Sequence, residues 1–109
     1  MQLSEQRVRD VLLTTQISIQ EFMDQLAAIR CLANNTRFRI LTLIPHKGIA
    51  VENIASALNM TSSAVSHQLA LLRRHEIVTA TKRGRNIIYR MNGESVRGKL
   101  VQKILRAVR

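Results

Sequence analysis

At 109 residues, with 46% hydrophobic but only 3% aromatic side chains, the chain has material for one modest core of Leu, Ile, Val, Ala and Met and too little for two. Seventeen Lys and Arg against seven Asp and Glu leave a net charge of +10, for which a polyanionic partner is the simplest explanation. No stretch approaches the roughly 20 consecutive apolar residues needed to span a bilayer.

The first expected helix runs from about Ser4 to Thr15, with Val8, Val11, Leu12 and Thr15 on one side. Ser18 with Glu21 is a capping box, and Ile17 is placed to staple onto Phe22. From there Phe22, Leu26, Ile29 and Ala33 repeat at helical spacing to about Leu32. Asn34 or Asn35 caps a third helix with Phe38, Ile40, Leu41 and Ile44 inward, until Pro45 stops it and His46, Lys47 and Gly48 turn the chain. Val51, Ile54, Ala55 and Leu58 form a fourth stripe. After Asn59 and Met60, Thr61 or Ser62 caps a fifth helix with Val65, Leu69 and Leu72 inward. Two short helices joined by a three-residue turn read as a helix-turn-helix.

The period then changes. "IVTATKRGRNIIYRM" places β-branched residues on both sides of Arg83, Gly84 and Arg85, the pattern of a hairpin with a basic, glycine-turned tip. Glu94 or Ser95 begins a C-terminal helix with one apolar band, Leu100, Val101, Ile104, Leu105 and Val108; Arg97, Lys99, Lys103 and Arg106 lie on its other side. The expected fold is mainly α with a small β-hairpin wing, in the order α-α-α-α-α-β-β-α, a single winged helix-turn-helix domain over residues 1–109.

Charge is concentrated where these elements end. Residues 73–109 hold eleven of the basic side chains and two acids, Glu76 and Glu94. A helix fits the major groove of a duplex, and short polar side chains near its start reach base edges. Thr61, Ser62, Ser63, Ser66, His67 and Gln68 supply such groups. Lys82, Arg83, Arg85 and Arg90 in and beside the hairpin are suited to phosphates, which position a protein without specifying sequence. Arg73 and Arg74 suit either DNA or the dipole of the helix they end.

The order and spacing of "CLANNTRFRIL", "VENIASALNMTSSAVSHQLALLRR" and "IVTATKRGRNIIYRM", residues 31–91, resemble the ArsR/SmtB winged-helix transcriptional repressors of prokaryotes. The resemblance implies that "SHQL" lies on a recognition helix and that "GRNIIYRM" is the second half of the wing. It further implies that Ser62, Ser63, Ser66, His67 and Gln68 face DNA, that Lys82, Arg83, Arg85 and Asn86 are wing contacts, and that the first and last helices build a homodimer. The apolar band of the last helix supports the dimer independently, with Val8, Val11 and Leu12 as a second strip. A two-fold dimer presents paired helices to a near-palindromic operator in double-stranded DNA. The expected function is a sequence-specific repressor that blocks a promoter. The alternatives are a non-specific or architectural nucleic-acid binder and a winged helix used as a protein-interaction module.

Many relatives sense metals, and here the chain departs from them. The family's zinc pattern on the last helix falls on Gly93, Ser95, Arg106 and Arg109, and its arsenic- or lead-binding cysteine pair falls on Ala50 and Glu52. No metal or other cofactor is therefore expected. The single Cys31 excludes an intrachain disulfide and fits a reducing compartment; at a core position it is expected to act as a small hydrophobe. Met1 to Asp10 is polar and does not read as a secretory leader, so the protein is expected in the cytoplasm, without a membrane partner. No enzyme is expected, because adjacent Ser66 and His67 point about 100° apart on a helix and no carboxylate orients the histidine.

Overall fold

The computed structural model describes residues 4–7 and 18–108. Of the first expected helix, residues 5–7 are helical and the Ser4 hydroxyl accepts from the Arg7 amide at 3.2 Å. Val8, Val11, Leu12, Thr15 and the Ile17 staple lie outside the described residues.

Most of the following helices start on a side-chain cap. Helix α1 (Ile19–Leu32) begins where the Ser18 hydroxyl accepts from the Glu21 amide at 3.0 Å, and α2 (Asn35–Thr42) where Asn34 Oδ1 accepts from the Arg37 amide at 3.0 Å. These bonds satisfy amides that the first helical turn leaves unpaired. After Pro45, Gly48 adopts φ +93. A Cβ there would sit 2.6 Å from Ile88 Cγ2, so only glycine lets the chain pass so close to the hairpin.

That passage forms β1 (Ile49–Ala50), a strand the sequence pattern did not announce. It pairs antiparallel with β3 (Asn86–Met91), which also pairs with β2 (Val78–Arg83), giving a three-stranded sheet in the order β1-β3-β2. Between β1 and β2 lie α3 (Val51–Leu58) and α4 (Ser62–Arg74), and α5 (Val96–Val108) follows β3. From α1 onward the expected order of elements is present, with β1 added.

The buried side chains form one cluster. Ile40 and Leu41 of α2, Ile54 of α3, Val65, Leu69 and Leu72 of α4, Ile77 and Val78 at the hairpin's base and Val101 of α5 are all completely buried. Helix α1 adds Ala28 and Cys31, small residues that let it approach the core closely. The stripe expected from periodicity, Phe22, Leu26, Ile29 and Ala33, lies largely on the opposite side, where Phe22, Ile29 and Ala33 are exposed.

A compact joint ties the end of α4 to the start of α5. Helix α4 ends in a Schellman motif: the Ile77 amide donates to the Leu72 carbonyl at 3.0 Å and the Glu76 amide to that of Arg73 at 2.9 Å, with Glu76 in the left-handed region at φ +63. The Glu76 carbonyl accepts from both Asn92 Nδ2 and the Ser95 hydroxyl. Ser95 Oγ in turn accepts from the Gly98 amide at 2.9 Å and so caps α5. At Gly98 a Cβ would fall 2.0 Å from the Asn92 carbonyl oxygen. Alanine gains about 1 kcal/mol of helix propensity over glycine, while overpacking against backbone costs about 1–3 kcal/mol or more. Gly98→Ala is therefore expected to lower stability in urea denaturation; a midpoint at or above the native one would show that the start of α5 is free to move.

Candidate nucleic-acid interface

The helix-turn-helix is set by α3, α4 and the turn between them. Asn59 ends α3 in the left-handed conformation, φ 54, which asparagine tolerates better than most residues. Met60 returns its amide to the Ala55 carbonyl, and the Thr61 hydroxyl accepts from the Ala64 amide at 3.1 Å. Thr61 thus starts α4 and is itself exposed.

Helix α4 divides its residues cleanly. Val65, Leu69 and Leu72 are wholly buried, and at about 100° per residue the opposite side carries Ser63, His67, Ala70 and Arg74, all exposed. Ser62, Ser66 and Arg73 flank that face and are exposed too. Gln68 departs from this pattern. It sits at the edge of the core, half-buried, with Oε1 out of contact with solvent and without a hydrogen-bond partner. Reaching outward from there requires a change of rotamer.

Helix α4 packs against β2, the first strand of the wing. The wing's register runs from Val78 opposite Met91 to Arg83 opposite Asn86, leaving Gly84 and Arg85 as a two-residue turn. Gly84 has φ +62, as the first position of a type II′ hairpin turn requires. Lys82, Arg83, Arg85 and Asn86 are all exposed around this tip. No Asp or Glu occurs between Glu52 and Glu76 or between Glu76 and Glu94, so α4 and the wing present basic and neutral groups only.

Two further arginines are otherwise engaged. Arg90 donates from Nε to the Lys47 carbonyl at 3.1 Å and so braces the base of the wing. Arg97, expected on the solvent side of α5, bonds Asp24 of α1 through Nε at 3.0 Å and also approaches His75 Nδ1 at 3.5 Å. It joins α1, α5 and the end of α4.

The apolar band expected on the last helix splits in two. Val101 and Leu105, expected at a subunit interface, are 0% and 3% exposed and pack in the chain's own core. Leu100 and Ile104 are half-buried and Val108 is 59% exposed, so these three lie on the flank of α5 that remains available. Helix α1, packed against α5, carries an outward apolar set that was not assigned to an interface: Ile19, Phe22, Met23 and Ile29, the last 54% exposed. The signal was present in the sequence as a second apolar stripe, but spacing does not say which stripe a helix turns to its own core.

Cys31 is buried, and burial raises its thiol pKa above the ordinary value against the opposing pull of Arg37 and Arg97. Arg37 Nε also donates to the Cys31 carbonyl at 3.2 Å. The thiol is consequently a neutral, weakly nucleophilic core group at pH 7. Of the positions matching the family's zinc pattern, Ser95 caps α5, Gly93 and Arg106 are exposed, and Arg109 lies outside the described residues. Among the described residues no helix is long and apolar enough to cross a membrane.

Comparison with known proteins places this geometry. A family described as a helix-turn-helix domain matches residues 32–80. The chain is similar to the HTH-type transcriptional regulator NmtR of Mycobacterium tuberculosis, 38% identical over 63 residues that make up 58% of this chain and 52% of that protein. The match spans about half the length of this regulator and of a similar SmtB homologue from Synechocystis. Among solved structures it is similar to the antimony-specific transcriptional repressor AntR, with a TM-score of 0.71 and 30% identity over 84% of this chain and 78% of that one. It is also similar to the homodimeric winged helix-turn-helix DNA-binding domain of Mb0332 from Mycobacterium bovis, a possible ArsR-family transcriptional regulator, with a TM-score of 0.63 and 33% identity over 80% and 82% of the two chains. With a helix-turn-helix, a basic wing and these relatives, the chain belongs to the ArsR/SmtB family of winged helix-turn-helix transcriptional regulators.

Proposed function

We propose that two copies of this chain bind one near-palindromic site in double-stranded DNA, in the cytoplasm, and repress transcription by occluding a promoter. The observation that carries this reading is the division of α4, with three core residues wholly buried and Ser63, Ser66 and His67 outward on an element free of acids. Those side chains, with Thr61 and Ser62 at the helix start, read base edges. Lys82, Arg83, Arg85 and Asn86 hold the flanking backbone, and Gln68 joins once its amide swings out. The subunits meet through Ile19, Phe22, Met23 and Ile29 of α1 together with Leu100, Ile104 and Val108 of α5. The homodimeric Mycobacterium bovis domain supports a two-fold assembly.

Competition decides between sequence-specific repression and indiscriminate binding. Genomic fragments recovered with the protein are expected to withstand an excess of random duplex, whereas displacement by random DNA at equal concentration refutes specificity. His67→Ala is expected to relax preference at particular base pairs by about 1–3 kcal/mol, measured on single-base variants of the recovered site. An equal loss on every variant would move His67 to the phosphate backbone.

A further inference from the structure

A recess of about 580 Å³ opens where the turn after α2, the base of β3 and α5 meet. Its inner wall is Ile44 and Leu105, both core residues, with Pro45 and Met91 beside them. Around this wall stand His46, Arg90 and Arg106 and, among the described residues, no carboxylate. Arg90 is braced through Nε on the Lys47 carbonyl, which leaves its terminal guanidinium nitrogens unspent. Among the described residues, the side chains of His46 and Arg106 have neither a hydrogen-bond nor an ion-pair partner.

Cations gathered on an apolar wall in a chain of net charge +10 repel one another, and an anion relieves that repulsion. A guanidinium fork matches a carboxylate through two parallel hydrogen bonds. The apolar wall adds what a bare ion does not need: surface for a hydrocarbon body to cover. The volume is in the range of small-molecule sites, about 300–1,000 Å³. We propose that this recess binds a small organic carboxylate, its charge against Arg90 and Arg106 and its apolar body on Ile44, Pro45, Met91 and Leu105.

The site is separate from both surfaces described above. Residues of α4 do not line it, and at about 100° per residue Arg106 lies on the opposite flank of α5 from Ile104. A bound carboxylate touches α5 and the base of the wing together, which makes it an effector of DNA binding. That consequence rests on the proposed function; the binding itself does not.

The test is titration of the 15N-labelled chain with benzoate, and in parallel with benzamide and with inorganic phosphate, followed by amide chemical shifts. Benzoate is expected to give saturable shifts confined to residues 44–48, 90–93 and 102–106, and Arg106→Gln to weaken it about tenfold, the loss of one charge-assisted hydrogen bond. Benzamide has the ring without the charge and phosphate the charge without the ring, so each is expected to bind at least about tenfold more weakly. Equal binding of benzamide reduces the recess to an apolar groove, and equal binding of phosphate to a plain anion site; either result overturns the proposal. So do shifts scattered over the basic surface, or an Arg106→Gln chain that binds benzoate unchanged. Arg106 is exposed and outside the core, so this variant folds; Arg90→Gln is the second variant, with its spectrum checked before titration. All of these readouts are made without DNA, so their failure leaves the repressor reading standing, and failure of the competition assay leaves the carboxylate site standing.

Discussion

Arg83→Ala with Arg85→Ala is expected to lower affinity for every duplex by about a hundredfold at moderate salt, because the proposed charge-assisted phosphate contacts would be lost from both subunits at once. The same change flattens the dependence of log K on log salt by about 0.9 for each phosphate contact removed. Both side chains are exposed at a two-residue turn, and Gly84 supplies the conformation that the turn needs, so the wing keeps its shape without them. Base preference should survive, since it is assigned to α4. Arg90 and Arg97 are unsuitable controls despite their charge, because their bonds to Lys47 and Asp24 hold the fold. Binding isotherms at several salt concentrations check the result; an unchanged slope would remove the wing from the interface and favour a protein partner instead.

Met23→Glu with Ile29→Glu is expected to convert the proposed dimer into a folded monomer that no longer binds DNA as a pair. Both residues are more than half exposed in the single chain, so acids there are solvated and the subunit's own core is untouched. In a two-fold assembly the same acids are buried beside their symmetry copies, at an effective penalty of several kcal/mol per ion. Leu105→Ala gives the contrasting behaviour: it opens a cavity inside the subunit and costs about 2–5 kcal/mol of folding stability. Sedimentation and denaturation together separate the two effects. A Met23→Glu, Ile29→Glu protein that still sediments as a dimer would place the interface elsewhere.

Much of this architecture was legible because its boundaries are written in side chains with one local job. Ser18, Asn34, Thr61 and Ser95 each cap the helix they were expected to start or adjoin, and the change of period at Ile77 and the glycine at position 84 announced the hairpin. What stayed hidden depends on which neighbour wins. Strand β1 has two residues, too few for any period, and exists only because β3 passes beside Ala50. Helix α1 has apolar residues on two sides, and close packing selected the small pair Ala28 and Cys31 for the interior, leaving the larger Met23 and Ile29 outside. Val101 and Leu105 share a stripe with Leu100 and Ile104, but a helix turns only part of such a band toward its own subunit. For the candidate site, the outward serines and His67 followed from periodicity, whereas Gln68 is one step round the helix and falls under the shoulder of the core.

The carbonyl of Glu76 serves two masters, Asn92 and Ser95, and through them the last turn of α4 is riveted to the first turn of α5. Rotating one drags the other. If α5 helps to set the angle at which subunits meet, the separation of paired reading helices along a duplex is inherited from residues that never approach a base. Operators with different half-site spacing then become reachable by changing how two copies cross, with every nucleotide contact left as it is.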